Sequence, residues 1–157
     1  MEDSKKLDFQ RRLTQCNRGE MIVIMYDILF AYLEDAKLAY EQDDYPSYKE
    51  AVKKAQNTLD MLMGALDFSY EISKELYRLY LTAKKHLARA IYEKRTDGIG
   101  DALQILTPLY GSFVQVAKSD TSAPLMRNTQ QVYAGMTYGK TSLNETYETE
   151  RNRGFLA

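Results

Sequence analysis

Apolar residues recur at three- and four-residue steps through most of the chain, which is the spacing of amphipathic helices. Four such stretches, each about twenty residues long, fill residues 18–118 and are separated by short connectors. Connectors of only a few residues force successive helices to run antiparallel. We therefore predict an all-α fold, an antiparallel up-down-up-down four-helix bundle.

Capping residues and a proline indicate where the predicted helices begin. Asn17 and Glu20 have the spacing of a capping box, in which each side chain bonds to the other residue's amide. Pro46 suits the first turn of the second helix because its missing amide hydrogen costs little there. Ser69 is predicted to cap the third helix. The predicted helices cover, to within a few residues, 18–41, 46–66, 70–94 and 99–118.

Two of these helices carry seams that are continuous enough to form a bundle core. The seam of the second helix consists of Tyr48, Val52, Ala55, Leu59, Leu62 and Leu66. The predicted face of the third helix consists of Ile72, Leu76, Leu79, Ala83, Leu87 and Ala90. Further apolar residues surround the third helix at Tyr77, Tyr80, Leu81, Ile91 and Tyr92. Because one seam cannot bury all of them, the sequence predicts apolar surface left over for a partner.

Composition divides the chain into three parts. An N-terminal arm occupies residues 1–16, and the bundle occupies residues 17–118. Residues 119–157 are rich in Ser, Thr, Asn, Gly and charge, with scattered apolar positions. A free coil rarely holds so many aromatic residues, so we expect a C-terminal tail with short helical or docked pieces.

Side chains suited to catalysis or metal binding are scarce in this sequence. The chain has one histidine, His86, and one cysteine, Cys16. Bundle enzymes of the di-iron type need Glu-x-x-His pairs, and the residue three positions before His86 is Ala83. Gly98 and Gly100 are too few for a phosphate-binding loop and are explained by a helix start. We therefore expect no enzyme activity, no cofactor and no metal site.

Net charge and hydropathy argue against nucleic acid and membranes as partners. The 157 residues carry a formal net charge of -1, which offers no bulk attraction to nucleic acid or anionic lipid. The basic residues of the third helix are interpreted as a solvated helix face: Lys84, Lys85, Arg89, Lys94 and Arg95. Apolar runs are too short for a membrane span, and the start lacks a signal-peptide pattern, so we expect a cytoplasmic protein without membrane insertion.

Tyrosine dominates the aromatic content, with thirteen copies and no tryptophan. Tyrosine combines apolar area with a polar tip and is favoured at protein interfaces. Tyr77 and Tyr80 cannot both point into the seam shared by Leu76 and Leu79, so we interpret this pair as part of an interface. The pattern favours a binding module over an enzyme.

Four short segments occur in a characteristic order along the predicted helices. They are Glu20 to Asp27 (EMIVIMYD), Ala36-Lys37, Leu62 to Asp67 (LMGALD) and Glu71 to Tyr80 (EISKELYRLY). In this order and spacing they resemble the FliS family of flagellin-specific export chaperones. The likeness covers residues 17 to about 117, and its most specific parts are Ile24 to Asp27 and the Leu-Tyr-x-Leu-Tyr element from Leu76 to Tyr80.

The resemblance implies a cytoplasmic chaperone that binds the disordered C-terminal segment of flagellin. Such a protein prevents premature polymerisation and aids delivery to the flagellar type III export gate, so an export-gate component is a further candidate partner. The expected flagellin-binding residues are Met21, Met25, Tyr26, Ile72, Leu76, Tyr77, Leu79 and Tyr80. Phe9 is an inexact counterpart of the family's N-terminal tyrosine and is the expected groove-covering residue of the N-terminal arm.

The tail motivates a separate hypothesis, which does not come from the resemblance. Its apolar residues are expected to cover the groove when the client is absent, because an uncovered apolar groove favours aggregation. These residues are Val132, Tyr133, Met136 and Tyr138.

An alternative function is also consistent with the pattern. A helical adaptor or regulatory protein, not specific for flagellin, would use the same tyrosine-bearing face to form a homodimer. Flagellin binding and concentration-dependent self-association distinguish the two functions.

Overall fold

The computed structural model describes residues 1–126 and contains five α-helices in that part of the chain. They are α1 (Asp3–Gln15), α2 (Arg18–Glu41), α3 (Tyr45–Gly64), α4 (Glu71–Glu93) and α5 (Asp97–Ser119). Met1–Leu125 forms one compact unit. Helices α2 to α5 correspond closely to the four predicted helices, which confirms the all-α class.

Local hydrogen bonds explain where α2 and α3 begin. The Asn17 side chain accepts from the Glu20 amide at 2.9 Å, and the Asn17 amide donates to the Glu20 carboxylate at 2.9 Å. The predicted capping box is therefore confirmed. Asp44 caps α3 by accepting from the Ser47 amide at 3.1 Å, and Pro46 lies in the first turn.

Helices α2 to α5 pack on one another in a consistent order. Helix α2 contacts α3 and α5, and α4 contacts the same two helices. Near the start of α3, the Tyr48 hydroxyl donates to the carbonyl of Arg95, just after α4, at 2.8 Å. In the first turn of α2, the Gly19 amide donates to the carboxylate of Asp120, just after α5, at 3.0 Å. The start of one helix therefore lies beside the end of its neighbour in both pairs.

The core combines aliphatic side chains with a group of packed aromatic rings. The α3 seam is buried as predicted at Tyr48, Val52, Ala55, Leu59 and Leu62. The ring of Tyr26, on α2, has centroid distances of 5.7 to 6.3 Å to four other rings. We call these five residues the aromatic centre: Tyr26, Phe30, Tyr80, Tyr110 and Phe113. It joins α2, α4 and α5 through a large apolar contact area.

The N-terminal arm contains a helix that the sequence analysis did not predict. Helix α1 packs against α2, and the Arg12 guanidinium contacts the Asp27 carboxylate at 2.6 Å. The amino group of Met1 contacts the Asp35 carboxylate at 2.6 Å. No residue of α1 is fully buried. Its position depends on tertiary contacts that a hydrophobic pattern does not reveal.

The buried face of α4 differs from the predicted face in its first three turns. Ser73 and Tyr80 are buried where the pattern predicted Ile72 and Leu79. The Ser73 hydroxyl donates to the Asp67 carbonyl at 2.6 Å, so this polar residue can occupy the seam at little cost. The later positions agree with the prediction: Ala83, Leu87 and Ala90. Ile72 consequently points outward and is 62% exposed.

Candidate functional site

Five exposed apolar side chains lie close together in sequence, around the connector between α3 and α4. Met61, Phe68, Tyr70 and Ile72 are each more than half exposed, and Tyr77 is 40% exposed. The rings of Phe68 and Tyr77 meet edge to face, with their centroids 5.8 Å apart. We call these five residues the corner surface. Exposed apolar groups of this kind are typical of interaction sites.

An open groove adjoins the corner surface and reaches the start of α2. Its volume is about 550 Å³. Apolar lining comes from Met21, Ile22, Ala65, Leu66, Phe68 and Leu125, and polar lining comes from Arg18 and Asp67. We call this feature the corner groove. Its lining mixes apolar side chains with charged groups, so it offers a partner both apolar surface and hydrogen-bonding groups.

The connector that carries Phe68 is held in shape by Asp67. The predicted Ser69 cap is wrong, because Tyr70 occupies the N-cap position of α4 and its side chain forms no cap bond. The Ser69 amide instead donates to the Asp67 carboxylate at 2.9 Å. The hydrogen bonds from Ser69 lower the pKa of Asp67, because they stabilise its charged carboxylate. These hydrogen bonds restrict the connector backbone on either side of Phe68, which lowers the ordering cost of binding.

Several of the residues predicted to bind flagellin lie at this end of the unit. Ile72 and Tyr77 belong to the corner surface, and Met21 lines the corner groove. Leu76 is half-buried and packs against the core. Leu79, also half-buried, lies one turn farther along α4 than Leu76.

Three other predicted residues lie inside the core: Met25, Tyr26 and Tyr80. The Tyr26 hydroxyl donates to the Tyr80 hydroxyl at 2.9 Å, and burial raises the pKa of both phenols. Tyr80 is 1% exposed, so the interpretation of Tyr77 and Tyr80 as a joint exposed pair is corrected. The register set by Ser73 turns Tyr80 inward and leaves Tyr77 outside. The three residues are not accessible to a partner in this conformation.

Phe9, predicted to cover the groove, is half-buried on α1 and does not line the corner groove. The Arg12 guanidinium lies 5.7 Å from the Phe9 ring centroid and also reaches Asp27. Asp27 accepts a second hydrogen bond, from the Tyr110 hydroxyl at 2.8 Å, which raises the pKa of Tyr110. Asp27 therefore joins α1 and α5 to α2. The other predicted covering residues lie outside the described residues: Val132, Tyr133, Met136 and Tyr138.

The sequence pattern did not indicate two residues that lie beyond α5, near the start of α2 and at the corner groove. Asp120 bonds to the first turn of α2, and Leu125 contributes to the groove lining. Both belong to the region that composition assigned to the tail. Their contacts involve residues about a hundred positions away in sequence, and no local pattern indicates such contacts.

Several reactive and charged side chains elsewhere in residues 1–126 are buried or paired. The Cys16 thiol is buried and donates to the Leu13 carbonyl at 3.3 Å, and burial raises its pKa, so it is a poor nucleophile. Ion pairs occupy three cations of the basic helix face: Lys84 with Asp60, Arg89 with Asp101, and Arg95 with Asp97. In residues 1–126, no three His, Cys, Asp or Glu side chains group to hold a metal ion. Across the same residues, every helix is too short or too polar to span a membrane.

Residues 1–126 form a helical unit with exposed apolar side chains and a groove at one corner. These features are typical of a helical protein-binding module. The model of the family described as flagellar protein FliS matches residues 1–120. The chain therefore belongs to the FliS family, whose members are flagellar export chaperones that generally bind flagellin. The match includes α1, which the resemblance seen in the sequence did not cover. A comparison with curated proteins found no match.

Proposed function

We propose that this chain is a cytoplasmic export chaperone that binds the disordered C-terminal segment of flagellin. In this proposal, helices α2 to α5 form an antiparallel four-helix bundle. The contacts of Tyr48 with Arg95 and of Gly19 with Asp120 support that arrangement. The bound segment is kept from premature polymerisation and is handed to the flagellar type III export gate.

The observation that carries the proposal is the corner surface together with the corner groove. An amphipathic client segment can place apolar side chains in a hydrophobic groove and leave its polar face in water. Exposed aromatic and methionine side chains are enriched where proteins recognise one another. Phe68 belongs to both features, so one client helix could contact the groove and the surface at the same time.

Within this site we assign different roles to the eight residues predicted from the sequence. Met21, Ile72, Leu76 and Tyr77 contact the client, since they lie at or beside the corner. Leu79 packs behind them at half burial. The buried residues Met25, Tyr26 and Tyr80 support the surface from the core.

Titration calorimetry of the full chain with a flagellin C-terminal segment tests this function. We expect 1:1 binding with a negative heat-capacity change, because apolar surface is buried as the segment folds. Flagellin that lacks the C-terminal segment is the matched control and should give no binding heat. Equal binding by the truncated flagellin, or a heat-capacity change near zero, would contradict the proposal.

The homodimeric adaptor is a second candidate, and the exposed pair of Phe68 and Tyr77 favours it. Two copies could bury this same tyrosine-bearing surface against each other. Sedimentation over a range of concentrations measures self-association directly. A homodimer that forms with rising concentration and does not bind flagellin would replace the chaperone proposal.

A further inference from the structure

The segment that follows α5 turns back across the start of α2. We call residues 120–125 the strap. The Asp120 carboxylate accepts hydrogen bonds from the Gly19 amide at 3.0 Å and from the Ser122 amide at 2.9 Å. The Asp120 carbonyl also accepts from the Asn17 side-chain amide at 3.2 Å. This end of the strap is therefore attached at several points.

The other end of the strap reaches the corner groove. The Leu125 amide donates to the Cys16 carbonyl at 2.9 Å, and the Leu125 side chain lines the groove with Met21 and Phe68. About half of the Leu125 side chain stays exposed, at 51%. One hydrogen bond and one partial apolar contact are weak attachments compared with those of Asp120.

We propose that the strap is an intramolecular cover of the corner groove, which a client displaces when it binds. Leu125 occupies apolar groove surface that a client side chain would otherwise contact. The Asp120 end stays attached, because a carboxylate is stabilised at the N-terminus of a helix by free amides and by the helix dipole. The Leu125 end opens. The identity of the client rests on the proposed function, whereas the seating of Leu125 does not.

Gly19 offers a way to loosen the strap without changing any residue that lines the groove. A Cβ atom at Gly19 would lie 2.8 Å from the Asp120 carboxylate and 3.2 Å from the Ala117 Cα atom. Gly19→Ala should therefore push the carboxylate away from the start of α2. Gly100 lies in the first turns of α5, and a Cβ atom there would have no neighbour within 4 Å. Gly100→Ala is the matched control, with the same gain in helix propensity.

A second pair of variants acts at the groove itself. Leu125→Ser removes the apolar side chain that lines the groove and leaves Asp120 unchanged. Val116→Ser is its control, because Val116 on α5 has a similar exposure of 61% and does not line the groove. The four variants of the full chain are compared with the parent protein.

Two measurements are made, one without client and one with it. Without client, binding of the apolar dye anilinonaphthalene sulfonate should rise for Gly19→Ala and Leu125→Ser and stay unchanged for the two controls, at unchanged helical circular dichroism. With a flagellin C-terminal segment, the same two variants should bind on the order of two- to tenfold more tightly. The apparent dissociation constant is the intrinsic constant divided by the open fraction, so a larger open fraction lowers it.

The possible results test the covering of the groove and the identity of the client independently. Unchanged dye binding in both variants would show that the groove is not covered and would overturn the inference. Weaker binding of the flagellin segment by Leu125→Ser would also overturn it, because Leu125 would then be part of the client surface. Increased dye binding without flagellin binding by any variant supports the cover and rejects flagellin as the client.

Discussion

The aromatic centre and the corner surface contain the same types of residue in opposite surroundings. In the centre, the Tyr26 ring packs against four others and its hydroxyl bonds to that of Tyr80. At the corner, Phe68 and Tyr77 pack edge to face, and both rings stay exposed. The register of α4 and the connector between α3 and α4 determine which of these rings are buried and which are exposed. Aromatic residues therefore indicate a binding surface only where the register turns them outward.

Truncating one ring in each region should give the largest difference in stability between the aromatic centre and the corner surface. Tyr80→Ala should lower the free energy of unfolding by about 3 to 5 kcal/mol, because it leaves a cavity in the core. Tyr77→Ala should lower it by less than about 1 kcal/mol, since the side chain is 40% exposed. Urea unfolding followed by circular dichroism measures both. Equal losses would contradict the division between core and surface.

High pH should destabilise the folded protein through its buried tyrosines. Burial raises the pKa of Tyr26 and Tyr80, and burial raises the pKa of Tyr48 to about 12. The unfolded chain loses these protons near pH 10, so the folded state holds more protons above that value. The stabilisation is therefore complete below about pH 10 and is lost as the pH rises through the raised pKa values.

The free energy of urea unfolding, measured at intervals between about pH 8 and pH 12, tests this expectation. Tyr48→Phe removes one of the buried phenols and should make the decline less steep. Tyr77→Phe is the control at the corner and should follow the parent protein. A free energy that stays constant beyond about pH 11 would contradict the burial of these hydroxyls.

The hydroxyl pair of the aromatic centre should give a smaller but specific effect. Tyr26→Phe and Tyr80→Phe should each lower the free energy of unfolding by about 1 to 2 kcal/mol, because each leaves a buried hydroxyl without its partner. The double variant should lose less than the sum of the two, since no unpaired hydroxyl remains. Additive losses in the double-mutant cycle would show that the two hydroxyls do not interact.

Much of the fold could be predicted because its signals are local. The capping box of Asn17 and Glu20, Pro46 in the first turn of α3 and the α3 seam each depend on neighbours within a few residues. Helix α1 was missed because ion pairs with α2, rather than a strong apolar face, hold it in place. The register of α4 was wrong at its start, since a hydrophobic pattern does not recognise a serine whose hydroxyl is satisfied by Asp67.

The candidate site was only partly predictable for the same reason. Periodicity placed Ile72 in the seam and Tyr77 and Tyr80 outside it, but it could not decide which of them faces a partner. The register made Tyr80 a core residue and left Ile72 and Tyr77 at the surface. No local sequence pattern indicated that Leu125 lines the groove, because a long-range hydrogen bond to Cys16 places it there.

Two tyrosines of α4 test whether the corner surface binds flagellin. Tyr77 belongs to the corner surface, and Tyr92 is 89% exposed near the other end of the same helix. Tyr77→Glu should weaken binding of the flagellin C-terminal segment, measured by titration calorimetry, by about tenfold or more, as expected at an interface hot spot. Tyr92→Glu should leave the affinity unchanged, and both variants should keep the parent protein's helicity. Equal affinities for the two folded variants, or a loss confined to Tyr92→Glu, would contradict the account.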